Sequence, residues 1–89
     1  MIATLSNEAL NDAVAVTTAN IVASANRRAR ELGVQVERTL MTLTHVIAPG
    51  ADTWRVNYVP EDYVERRGGD LIVDVDAQSG NVIRVVRGQ

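Results

Sequence analysis

The apolar positions change period once along the chain. Over residues 6–32 they recur at helical spacing: Leu10, Val14, Thr17 and Thr18, Ile21, Ala25, Arg28 and Ala29, and Leu32. This stripe predicts one long helix. Ser6 supplies an N-cap, Glu8 a first-turn acid, and Arg27, Arg28 and Arg30 last-turn cations that complement the helix dipole. Gly33 follows as the residue able to take the left-handed conformation that ends a helix. Such a helix is about 40 Å long, enough to cross several strands. Its many alanines let a sheet approach closely.

Beyond Gly33 the period becomes two. Residues 34–47 are rich in Val, Thr and Leu and predict a first strand. Val34 and Val36 are apolar on even positions, and Met41, Leu43 and Ile47 on odd ones, so a bulge or bend is expected near residues 38–40. Pro49-Gly50 marks a turn. Further strands are predicted at 53–59, 70–76 and 82–87, with a polar connection over 60–69. Asp76-Ala-Gln-Ser-Gly80-Asn81 is a hairpin turn with glycine placed for positive φ.

One helix followed by four strands with short links predicts an α+β domain, the helix covering one face of an antiparallel meander. The 89 residues allow a single domain spanning 1–89 with one modest core. Trp54, Val56, Tyr58, Leu71, Val73, Val75, Ile83 and Val85 are expected under the helix. The opposite face is expected to carry Leu40, Thr42, Thr44, Val46, Val59, Ile72, Val82 and Val86, with Arg55, Asp74 and Arg84 among them. That face is too apolar for comfortable solvation and has no second helix to cover it, so it is read as an interface.

Composition narrows the functions. Nine arginines, no lysine and eleven acids give a net charge of −2, so the basic footprint of a nucleic-acid binder is absent. The chain has no cysteine, which removes thiol chemistry, disulfides and cysteine-ligated zinc. No apolar run reaches the length of a membrane span, and the first residues carry no basic region followed by an apolar stretch. A cytoplasmic location is therefore expected, with no membrane and no nucleic acid among the partners.

The C-terminal third carries a pattern. Trp54-Arg-Val-Asn-Tyr58, followed by Arg67-Gly-Gly-Asp-Leu-Ile-Val-Asp-Val-Asp-Ala-Gln-Ser-Gly-Asn-Val-Ile-Arg-Val-Val-Arg-Gly-Gln89, resembles the ending of small NTF2-fold immunity proteins. The same Asp-x-x-Ser-Gly hairpin between two apolar strands is similar to that of PepSY-type domains. Both resemblances imply a cystatin-like helix-on-sheet architecture and non-catalytic protein binding or inhibition. The inhibitory Gln-x-Val-x-Gly loop of true cystatins is not matched by Gln35-Val-Glu-Arg-Thr39.

Individual residues offer little catalytic chemistry. His45 is the only histidine and has no second His or Cys for company, so it reads as a strand residue at the edge of the core. Asp74-x-Asp76-x-Gln78-Ser-Gly80 echoes the start of a calcium loop, but glycine falls at position 7 and Val85 stands where a bidentate glutamate is required. These carboxylates read as turn caps. Arg66-Arg67-Gly68-Gly69 lacks the following helix N-terminus that supports a phosphate cradle. No catalytic residue, metal or cofactor is expected, and the chain does not read as an enzyme.

The expected function is a protein-binding module of immunity or inhibitor type. Its binding face would comprise Thr42, Thr44, Arg55, Asn57, Val59, Tyr63, Ile72, Arg84 and Val86. Two alternatives stand beside it: a homodimer through the sheet, or a small-ligand binder with a pocket around Trp54 and Tyr58.

Overall fold

The structure is a computed structural model and describes residues 4–61 and 70–88. A short helix α1 (Asn7–Leu10) precedes the main helix α2 (Ala13–Glu31). A 3-10 turn (Val36–Arg38) leads into four strands: β1 (Thr39–Ala48), β2 (Ala51–Pro60), β3 (Leu71–Asp76) and β4 (Val82–Arg87). They form one antiparallel sheet in the order β1-β2-β3-β4, and α2 packs against β2, β3 and β4. The α+β class and the meander agree with the sequence reading.

The single helix expected over 6–32 is divided. Ser6 does cap a helix, its Oγ accepting from the Ala9 amide at 3.1 Å. That helix ends after one turn because Asp12 starts another: its Oδ1 accepts from the amides of Val14 (2.9 Å) and Ala15 (3.1 Å). An aspartate that satisfies two free amides ahead of it competes with its own place inside a continuous helix. The stripe divides with it. Ile21, Ala25 and Ala29 are buried, whereas Leu10 and Val14 are exposed.

The C-terminus of α2 is closed as its sequence requires. Gly33 has φ +87°. Its amide donates to Arg30 O, and the Val34 amide donates to Ala29 O, both at 3.0 Å. These are the two reciprocal bonds of a Schellman cap. The Arg87 guanidinium adds a third partner, donating to Leu32 O at 2.7 Å from the last strand.

The first strand starts later than expected. Val36 is buried from within the 3-10 turn, and Thr39 Oγ1 donates to Val36 O at 2.7 Å. The change of apolar parity before Met41 comes from this turn, not from a bulge within a strand. A bulge does occur elsewhere. Asp74 pairs with Arg84 while Val75 pairs with Val82, so Ile83 is the extra residue. This corrects two expected orientations: Val82 packs against the core, and Ile83 is 57% exposed.

Ile21, Ala25 and Ala29 meet Val56, Tyr58, Leu71, Val73 and Val75 in the core, flanked by Trp54, Met41, Leu32, Val34, Val82 and Val85. Alanine at the closest points of approach brings the helix backbone near the sheet. Tyr58 is fully buried, and its hydroxyl donates to Asn26 Oδ1 at 2.7 Å, which answers the one polar group that its ring carries inside.

Candidate functional site

The face of the sheet turned away from α2 is built by strand register. Thr44, Arg55, Asp74 and Arg84 stand side by side across all four strands. The adjoining row is Thr42, Asn57, Ile72 and Val86. Val59 extends β2 on the same face, opposite Leu40. Eight of the nine expected binding residues thus occupy one surface, seven of them in two neighbouring rows and Val59 beside them. The ninth, Tyr63, lies outside the described residues, as does Arg66-Arg67-Gly68-Gly69.

Asp74 is the centre of the polar row and was not among the expected binding residues. It is 5% exposed, the one buried charged side chain among the described residues. Arg55 grips it in a fork, Nε to Oδ1 at 3.0 Å and Nη2 to Oδ2 at 3.4 Å. Arg84 approaches from the other side, Nε to Oδ2 at 3.4 Å. The hydrogen bond and charge of Asp74 raise the Arg55 pKa, fixing the guanidinium in its charged form. Two cations about one anion leave this row with a net positive charge on a chain of net charge −2. Leu40, Val46 and Val86 expose apolar surface around it. Beside it, Asn57 Oδ1 is buried without a hydrogen-bond partner among the described residues.

On the helix side, His45 and Trp54 stack with ring centroids 4.4 Å apart and planes within 1°. His45 Nε2 also bonds to Asp52 Oδ1 across the hairpin. This cluster borders an open groove of about 430 Å³ between the start of α2 and the β1–β2 hairpin, lined also by Val14, Thr17 and Thr18. Tyr58 does not line it, because its ring is buried beneath α2. The expected pocket around both aromatics is therefore a groove at Trp54 alone.

The two aspartates of the calcium-like stretch serve different structures. Asp74 belongs to the arginine row, while Asp76 Oδ2 accepts from the Ser79 amide at 2.8 Å. Hydrogen bonding from the Ser79 hydroxyl, and then from its backbone amide, lowers the Asp76 pKa. The turn is closed by Gly80, at φ +75°, whose amide donates to Asp76 O at 2.9 Å.

These elements define a two-layer α+β domain with one helix-covered sheet face and one face bearing an arginine–aspartate–arginine row. No protein-family model, curated protein or solved structure matches the chain. Among the described residues no helix is long and apolar enough to cross a membrane.

Proposed function

We infer that the chain is a non-catalytic protein-binding module whose working surface is the outer face of the sheet. The supporting observation is the row Thr44–Arg55–Asp74–Arg84 set among exposed Leu40, Val46 and Val86. A pre-paired charge row inside an apolar rim has the makeup of a recognition surface. The apolar area supplies affinity, and the fixed guanidinium groups select a partner that brings acidic groups. The helix-on-meander plan and the Asp76-to-Gly80 hairpin agree with a cystatin-like relationship to small NTF2-fold immunity proteins or PepSY-type domains. An inhibitor or immunity role in the cytoplasm is the specific form of this proposal.

The test uses proteins captured on the tagged chain from lysate of its own host, followed by titration of the recovered partner. Arg55→Gln and Arg84→Gln, which remove the charge but keep a donor for Asp74, should each weaken binding at least tenfold, with circular dichroism verifying that each variant is folded. Equal affinity for both variants and the parent refutes the outer face as the binding surface. Recovery of no partner, together with a reproducible small-molecule shift in melting temperature lost in Trp54→Ala, would move the function to the groove.

A further inference from the structure

The sheet has two open edges, and they differ in chemistry. β4 has six residues, carries Arg84 and Arg87, and departs from regular pairing at Ile83. Charge and a bulge both discourage further strand pairing. β1 has neither. Its ten residues, Thr39-Leu-Met-Thr-Leu-Thr-His-Val-Ile-Ala48, include no Asp, Glu, Lys, Arg or Pro. Because α2 packs over the other three strands, β1 is open on both sides except at Met41, which packs against the core: Leu40 (60%) and Val46 on the outer face, Leu43 and Ile47 (75%) on the helix side. No described residue pairs with its outer edge.

The hydrogen-bonding direction of each β1 residue follows from the register. The Glu61 amide donates to Arg38 O, so even-numbered residues face β2 in the pairs Leu40↔Val59, Thr42↔Asn57 and Thr44↔Arg55. Met41, Leu43, His45 and Ile47 consequently turn their N–H and C=O groups toward the open edge. That is a full row of donors and acceptors without strand partners.

We propose that β1 pairs antiparallel with β1 of a second copy, about a two-fold axis at Leu43, joining the two sheets into one. In this register Leu43 faces Leu43 and Met41 faces His45 through edge-directed backbone groups, while Thr39, whose N–H already donates to Val36 O, offers only its carbonyl to Ile47. Between them Thr42 faces Thr44 and Leu40 faces Val46. Two-fold symmetry places any charge near the axis close to its own copy, which is why a strand free of Asp, Glu, Lys and Arg suits self-pairing. The register fully engages the edge-directed groups of residues 41–45, matches Thr42 with Thr44, Leu43 with Leu43 and Leu40 with Val46, and sets Met41 against the His45 ring. This surface is the strand edge, distinct from the outer face, so the two proposals stand or fall separately.

The test is sedimentation equilibrium over a wide dilution series of the whole chain, with residue-resolved amide hydrogen exchange on the same samples. The expected mass approaches twice that of one chain at the highest concentrations. The amides of Met41, Leu43 and His45 should gain protection in step with that mass, while those of Thr42 and Thr44 stay protected throughout. Leu43→Lys places two ammonium groups across the axis and should give a folded monomer, whereas Ile83→Lys on the opposite edge should leave the dimer intact. If Leu43→Lys fails to fold, the exchange pattern of the parent chain decides without any substitution. A single-chain mass at every concentration overturns the proposal. So does a dimer that Leu43→Lys leaves intact, one whose Met41, Leu43 and His45 amides still exchange freely, or a foreign strand found on this edge in place of a second copy.

Discussion

Tyr58 makes the core sensitive to alkali in a calculable way. Its ring is fully buried, its hydroxyl donates to Asn26 Oδ1, and burial pushes its pKa from 10.0 up to about 12, with the charge of Arg30 acting in the opposite direction. In the unfolded chain the phenol ionises near pH 10. In the native state it keeps its proton until about 12. Between those values the folded chain holds more protons than the unfolded one, so stability falls as pH rises. The contribution is complete below pH 10 and gone above the folded value. Its upper bound is about 2–3 kcal/mol from the relation between pKa and free energy. Urea unfolding followed by Trp54 fluorescence at a series of pH values measures it. At neutral pH, Tyr58→Phe should cost about 1 kcal/mol, the net worth of one hydrogen bond whose acceptor side chain is able to rehydrate. The parent and variant curves should cross at about pH 11, where the parent has lost about 1 kcal/mol, and as pH approaches 12 the parent should be the less stable of the two. Phenolate absorbance provides the independent check, because the difference between the parent and Tyr58→Phe isolates one of only two tyrosines. The reasoning fails if Tyr58 titrates near 10, or if Tyr58→Phe loses as much stability over the same range.

Three further outcomes follow from local geometry. Asp12→Ala removes the acceptor for two amides at the start of α2 and should cost about 1 kcal/mol, read as a fall in melting temperature of roughly 4–8 °C. Ala25→Leu forces a large side chain between helix and sheet at a fully buried position and should cost about 1–3 kcal/mol or more in urea unfolding. Gly80→Ala meets no atom within 4 Å, so its cost of about 1 kcal/mol comes from holding an L-residue at φ +75°, and a melting temperature equal to the parent's would refute that account.

Features governed by a few adjacent residues were legible in the sequence. The Gly33 terminus of α2 and the Asp76–Gly80 turn each depend on glycine at a positive-φ position with nearby acceptors, and both stand where the pattern places them. Most of the outer face was legible too, since strand alternation alone assigns Thr42, Thr44, Arg55, Asn57, Ile72 and Arg84 to one side. What failed involved competition between local signals. Ser6 and Asp12 are both good caps, and periodicity across them conceals the break. Val34 and Val36 alternate as a strand does, yet they lie before and within a helical turn. The inversion of Val82 and Ile83 comes from a bulge that alternation does not signal. The central role of Asp74 depends on the register that brings β3 between β2 and β4, which no single segment encodes.

The alanine stripe of α2 also bears on how the chain leaves the ribosome. The helix is made well before the strand it packs against most closely: Ala29 precedes Leu71 by 42 residues, about 2–8 s at ordinary synthesis rates. During that interval its inward face has at most the β1–β2 hairpin to meet, and not the central strand that covers it most. A stripe of leucine or phenylalanine would expose a broad adhesive surface to other nascent chains. With alanine at two of its three buried positions, the waiting helix presents little for them to hold.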